Sequence, residues 1–129
     1  MAQRIYAQLA GIGSYLPGAP ISNDALIKAK GLDSSDDWIL TRTGIASRHH
    51  APEGMTSSML AKEASRRALA DAGVAAADLD LIIVATSTPD MIFPSTACLM
   101  QGKLGNVGAT AFDVQAVCSG FVYALTIAE

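Results

Sequence analysis

From Leu81 to Glu129 the only charged residues are Asp90, Lys103, Asp113 and Glu129. The outer layer of a free-standing domain carries more charge than that, because large apolar patches left in water mark contact surfaces or buried interiors. This half of the chain reads as the buried middle of a larger body, or as a face that meets a partner. Within it, Ser119 to Ala128 contains no charged side chain, so a helix there has no solvent face and belongs inside a protein. The chain ends at Glu129 within that apolar pattern, with no Gly, Asn or Pro to stop a helix. The expectation is a single N-terminal domain over 1–129, truncated within the helix that follows Cys118.

The totals narrow the function classes. A chain of 129 residues holds one domain with one hydrophobic core and no more. Half of it is apolar and 16% is charged, an unusually greasy globular balance. Net charge is −3, and the nine basic residues are scattered from Arg4 to Lys103, which leaves no nucleic-acid footprint. No stretch reaches the ~18 uninterrupted apolar residues that a membrane span needs. No basic leader with an apolar core opens the chain, so the expected location is the cytosol. The two cysteines, Cys98 and Cys118, form no CxxC, and a reducing compartment argues against a disulfide.

Punctuation along the chain predicts alternating elements. Arg4 to Gly13 reads as a first strand and Ser14 to Pro20 as a loop. Ser22 or Asn23 caps a short helix to about Lys30, which Gly31 ends. Ser34-Ser35-Asp36-Asp37 opens a second short helix that stops at Gly44. Thr56 begins the clearest helix, to about Ala72, with Gly73 as its stop. Met59, Leu60, Ala64, Ala68 and Ala72 share one flank, and Glu63 and Arg67 on the other stand in the favourable i,i+4 order. Leu81 to Ala85 is a continuous apolar, β-branched run, the mark of a strand covered on both faces in a parallel sheet. Pro89 to Pro94 is a loop, Ser95 caps a helix to about Leu104, and Gly105 ends it. Thr110 to Val114 is a further strand, and a helix runs from Cys118 onward. The order defines an α/β layered fold.

Cys118 lies where a strand gives way to a helix. A helix N-terminus offers partial positive charge and unpaired N–H groups, the setting that favours thiolates. The same N–H groups can hold the oxyanion formed when a thioester carbonyl is attacked. Ser119 and Gly120 leave the backbone open to a substrate. Acyl transfer through an acyl-cysteine suits that arrangement. A cysteine between Val117 and Ser119, close to Phe121, also fits a small buried hydrophobe, and the local pattern leaves both readings open.

Larger blocks carry a resemblance. Gly11-Ile12-Gly13-Ser14-Tyr15-Leu16-Pro17 is followed by Trp38-Ile39-Leu40-Thr41-Arg42-Thr43-Gly44-Ile45 and Phe93-Pro94-Ser95-Thr96-Ala97-Cys98. Ala111-Phe112-Asp113-Val114 then leads to Cys118-Ser119-Gly120-Phe121. In order and spacing these blocks resemble β-ketoacyl-acyl carrier protein synthase III over nearly the whole chain. The resemblance implies a thiolase-like layered fold, here its incomplete N-terminal half, with a mixed sheet and a buried central helix. It implies a homodimer that starts fatty-acid synthesis. Cys118 would take an acyl group from acyl-coenzyme A and condense it with malonyl-acyl carrier protein, releasing carbon dioxide. Acyl-coenzyme A is then a substrate, and neither cofactor nor metal is expected. Trp38 and Arg42 match positions that hold the adenine end of coenzyme A, through indole stacking and guanidinium stacking or phosphate contact. Phe93 matches a residue that crosses the dimer to line the partner's acyl pocket. Without the resemblance, Trp38 is equally a core or interface aromatic, Arg42 a complement to a helix dipole, and Phe93 a loop anchor.

Gln115-Ala116-Val117 departs from the family, being bulkier than its small-residue run. The family's catalytic His and Asn, the remaining oxyanion donor and the second half of the duplicated fold are expected beyond residue 129. Two alternatives follow: a related condensing enzyme with another acyl donor or acceptor, and a non-catalytic dimerisation fragment. Other signals are set aside. Gly11-Ile12-Gly13 lacks the third glycine of a dinucleotide loop, since position 16 is Leu. His49 and His50, read as neighbours in a strand, point to opposite faces and cannot chelate together. Cys98, in the first turn after Ser95, is a rival thiol whose neighbours Leu99 and Met100 favour packing.

Overall fold

The computed structural model describes residues 7–129, which fall into two compact units. The smaller is Leu16–Gly54; the larger joins the residues up to Tyr15 with Met55–Glu129. The expected first strand lies partly on residues 1–6, outside the described residues. Its described part, 7–13, forms no regular strand.

The smaller unit contains β1 (Ile21–Ser22), α1 (Asn23–Lys30), α2 (Asp36–Thr43) and β2 (Ser47–Arg48). β1 and β2 pair antiparallel, Ile21 opposite Arg48. Both helices keep the predicted punctuation. Ser22 accepts from the Ala25 N–H and Ser35 from the Trp38 N–H, while Gly31 and Gly44 close the helices in the left-handed conformation at φ 60° and 70°. Those φ values favour glycine because it lacks the Cβ that would clash. No large apolar side chain is buried here. Asn23, fully buried, ties the unit together instead. Its Nδ2 donates to Asp36 Oδ1 at 2.8 Å and to the Ile45 carbonyl at 2.7 Å. His49 Nδ1 lies 3.0 Å from the Pro17 carbonyl, which can only accept, so that nitrogen carries the proton. The strand ends at Arg48, which corrects the placing of His49 and His50 within it.

The larger unit contains α3 (Ser57–Ala72), β3 (Leu81–Ala85), α4 (Thr96–Leu104), β4 (Thr110–Val114) and α5 (Gly120–Ala128). β3 and β4 pair parallel, Leu81 opposite Thr110 through Ala85 opposite Val114. Alternate side chains of β3 take opposite faces, and Ile82 turns to α3 and α4 to form a core with Ala97, Met100 and Ala109. Ala61 on α3 packs against that cluster, and the Ser65 hydroxyl contacts Met100 Sδ at 3.5 Å. Leu81, Ile83 and Ala85 line a groove on which α5 lies.

A second flank of α3 meets the Gly11–Gly13 segment. A Cβ on Gly11 would lie 2.6 Å from the Ala68 carbonyl and the Ala72 nitrogen, and one on Gly13 would collide with Ala64 and Ala68. These glycines serve close backbone packing on an alanine face, a reason for Gly-x-Gly that needs no nucleotide. That packing also redirects Arg67. It donates to the Ser14 carbonyl at 2.7 Å and sits 5.2 Å from the Tyr15 ring, while Glu63 pairs with Lys62 at 3.7 Å. The i,i+4 pair expected from spacing is not made. Arg67 bonds the carbonyl held beside the helix instead.

Two of the four charges of the apolar half, Asp90 and Asp113, are placed at helix starts. Thr56, the N-cap of α3, makes no side-chain cap bond. Asp90 supplies one from its loop, accepting from the Ser58 N–H at 2.8 Å and the Ser58 hydroxyl at 2.5 Å. Burial alone would raise the pKa of Asp90. The bonds from Ser58 and Thr56, with the positive charge of Lys103, outweigh it and hold the carboxyl below its usual range. Asp113, on β4, accepts from the Thr96 and Ala97 N–H groups at 2.8 and 2.7 Å, where an acid complements the dipole of α4. Asn106, nearly buried, donates to the Ala76 and Leu79 carbonyls and accepts from Gly108 and Ala109, knitting the turns that lead into β3 and β4.

Candidate active site

Cys118 stands between β4 and α5, and its thiol is exposed. The chain reaches it through Ala116 at φ −145°, ψ 27° and Val117 at φ +45°. A β-branched residue at positive φ is strained, and such strain persists where the surroundings impose it. Bulk at Gln115-Ala116-Val117 thus coincides with a backbone twist that the residue types alone do not announce. Val117–Ser119 forms a 3-10 turn, closed by the Ser119 N–H on the Ala116 carbonyl at 2.9 Å, and α5 begins at Gly120. The cysteine therefore precedes the α-helix rather than opening it. The turn is too tight for α geometry at that point.

Gly120 also has a different use from the one its spacing implied. It is buried, and a Cβ there would lie 3.2 Å from the Ala85 Cβ. The absent side chain lets the first turn of α5 rest on the end of β3, so it serves packing rather than substrate approach. That contact aims the Cys118 turn at the sheet end.

A groove of about 680 Å³ runs beside the cysteine, lined by Cys118, Phe121 and Leu125 together with Ile83, Ala85 and Ala61. Its walls are mostly apolar, with Ser65 as the hydroxyl side chain among them and Cys118 as the thiol. Phe93 belongs to the same unit but does not line the groove; it is 87% exposed in the loop with Ile92, at 99%. Phe121 and Val122 are exposed too, so the apolar helix predicted to be buried has an open flank among the described residues. Cys98 is exposed rather than packed away, with its Sγ 3.5 Å from the Ala111 carbonyl. Ser95 caps the turn that carries it through the Cys98 N–H.

Trp38 and Arg42 meet in the smaller unit. They are one turn apart on α2, and the guanidinium carbon lies 4.4 Å from the indole centroid. Spacing on a helix predicts that proximity, and the structure shows the stack itself. Among the described residues no cluster of three His, Cys, Asp or Glu side chains is placed to hold a metal ion, and no helix is long and apolar enough to cross a membrane.

None of the protein-family models matches the chain. Individual proteins do. β-Ketoacyl-acyl carrier protein synthase III of Bordetella petrii is 62% identical over 127 residues, 96% of this chain and 39% of that protein. The crystal structure of 3-oxoacyl-acyl carrier protein synthase III from Aquifex aeolicus VF5 superposes with a TM-score of 0.85 at 49% identity, covering 92% of this chain and 38% of that one. The priming β-ketosynthase of the R1128 polyketide pathway gives a TM-score of 0.90 at 39% identity over 99% of this chain and 38% of its own. The fold is that of the thiolase-like condensing enzymes. The chain spans about two-fifths of the length of the curated relatives it matches. Within that class the chain is similar, at 60–62% identity over 96–100% of its length, to part of the β-ketoacyl-acyl carrier protein synthase III proteins.

Proposed function

We propose that Cys118 is the acyl-accepting nucleophile of a condensing enzyme that starts fatty-acid synthesis. The observation that carries this reading is an exposed thiol on a strained strand-to-helix turn, at the edge of an apolar groove. The thiolate attacks the carbonyl of acyl-coenzyme A, and the oxyanion collapses to expel the coenzyme A thiolate. The acyl group is left as a thioester on Cys118. In the whole protein the acyl group then condenses with malonyl-acyl carrier protein as carbon dioxide leaves. Acyl-coenzyme A is a substrate, and the chemistry requires no cofactor.

Trp38 and Arg42 are the proposed contacts for the nucleotide end of coenzyme A, supported by their exposure and their pairing on α2. Phe93 is the proposed contribution to a partner's acyl pocket in a homodimer. The exposed loop Met91-Ile92-Phe93 supports an interface there, since contiguous apolar surface marks contact sites. A cytoplasmic location follows from the same reading. A second reading, a priming condensing enzyme with another acyl donor, is favoured by the fit to the R1128 ketosynthase.

Intact mass measurement after incubation with acetyl-coenzyme A tests the assignment. An acetyl adduct should form on the wild-type protein and on Cys98→Ala, and be absent from Cys118→Ala. An adduct that survives in Cys118→Ala moves the chemistry to another residue. Strong labelling by a longer or branched acyl-coenzyme A, with none by acetyl-coenzyme A, selects the second reading.

A further inference from the structure

α3 turns Ala61, Ala64 and Ser65 towards the groove beside Cys118 and a different flank towards α4. Along that flank runs a depression of about 500 Å³, where Lys62, Arg66 and Lys103 stand beside Leu69, Val74 and Leu104. A neighbouring depression of about 420 Å³ shares Lys62 and Lys103 with it and continues to Met55, Met59 and Tyr15. The two form one trough along α3 from Met59 to Val74, about 22 Å at the helical rise per residue. Its cations lie at the middle and its apolar surface at the ends, where Met59 is 42% and Val74 38% exposed.

The positive charge there is not balanced locally. Three of the nine basic residues meet in the trough although the net charge is −3. Lys62 and Arg66 stand four apart on α3, a spacing at which like charges repel and weaken a helix. Glu63 is the carboxylate on the rim, 3.7 Å from Lys62, and Arg66 and Lys103 have no ion pair among the described residues. Asp90 feels the charge of Lys103 but is committed to its bonds with Ser58. A small anion would answer the charge and leave both apolar ends in water. A helix of about four turns, with carboxylates in its middle and apolar residues at both ends, answers both. We propose that this trough is a docking surface for an acidic amphipathic helix of a partner protein. Met55 and Met59 suit such a contact, because the flexible thioether chain adapts to the shape of its occupant. The docking goes beyond the chemistry at Cys118 and does not depend on it.

Fluorescence anisotropy of the natural-length protein tests this with two labelled helical peptides of about 15 residues. One has leucines at both ends and glutamates in the middle turns; the other has glutamine in place of every glutamate. Wild type should bind the acidic peptide about tenfold or more tightly than its glutamine counterpart, and about tenfold less tightly when salt rises from about 50 to 300 mM. Arg66→Glu combined with Lys103→Glu should weaken the acidic peptide about tenfold or more, and Arg66→Gln combined with Lys103→Gln by a smaller factor. Met59→Ser combined with Val74→Ser should weaken both peptides severalfold. All four side chains are exposed, and thermal unfolding verifies that the variants fold; the glutamine pair carries the test should charge reversal disturb the fold. Equal binding of the two peptides, or no loss in either charge variant, overturns the proposal. Unchanged affinity in the serine pair, with full competition by pyrophosphate, overturns it in favour of a small-anion surface. Failure of wild type to bind the acidic peptide overturns it as well, the result expected if the rest of the natural chain covers the trough.

Discussion

The two units of this chain are held together by different physics. Around β3 and β4, Ile82, Ala97, Met100 and Ala109 form an apolar core between sheet and helices. Between Leu16 and Gly54 no large apolar side chain is buried, and the buried amide of Asn23 joins α1 to α2 and to the Ile45 carbonyl. The first region uses its apolar residues for rigidity and presents Cys118 at its rim. The second keeps Trp38 and Ile45 exposed and relies on a few directional bonds. A packed core resists small displacements, so it holds the turn that carries Cys118 in place. A hydrogen-bonded unit leaves its aromatic surface exposed.

Four substitutions sharpen or break that contrast. Ile82→Ala should have the largest effect, a loss of about 2–5 kcal/mol in equilibrium unfolding, since it empties the centre of the core. A loss under about 1 kcal/mol would mean that the larger unit does not depend on apolar packing. Asn23→Ala should cost about 1–3 kcal/mol, because a fully buried amide and its two hydrogen bonds are lost. Hydrogen exchange should then rise across α2 while β3 and β4 stay protected; equal loosening of both would erase the distinction between the units. Asp113→Ala should cost about 1 kcal/mol by uncapping α4, read as faster exchange at Thr96 and Ala97. Unchanged exchange at those two amides would remove Asp113 from that role.

The smallest effect concerns pH. The folded pKa of Asp90 is held below its ordinary value, so folding favours the ionised carboxylate. Its contribution is present above the unfolded carboxylate pKa of about 4 and is lost as pH falls through the lower folded value. Acid titration of stability should therefore be shallower in Asp90→Asn than in wild type. Identical acid limbs would show that the Ser58 bonds do not favour the charged form.

Much of the fold is legible in local chemistry. Ser22, Ser35 and Ser95 cap the helices assigned to them, and Gly31, Gly44, Gly73 and Gly105 end theirs at positive φ. These signals are readable because a cap bonds within three residues and a left-handed stop depends on one residue's sterics. The continuous run at Leu81 marks a parallel strand for a similar reason, since cover on both faces removes polar alternation. Cys118 is legible as a candidate because strand, cysteine and helix follow one another directly.

The uses of individual side chains escaped that reading. Asp90 caps α3 from 32 positions away, where Thr56 was the nearer candidate. Arg67 turned from Glu63 to a carbonyl, and Gly120 proved to be a packing glycine against Ala85. Each depends on a neighbour distant in sequence, and no local pattern encodes which of several partners arrives first.

Sequence by itself determined the five helices, the strands β3 and β4, and the thiol between β4 and α5, because propensity, capping and apolar patterning act over a few residues. Only tertiary structure decided that Val117 is twisted to φ +45°, that the cysteine precedes rather than begins α5, and that an apolar groove runs beside it. The reason is that backbone strain and cavity shape are settled where separate segments compete for the same space.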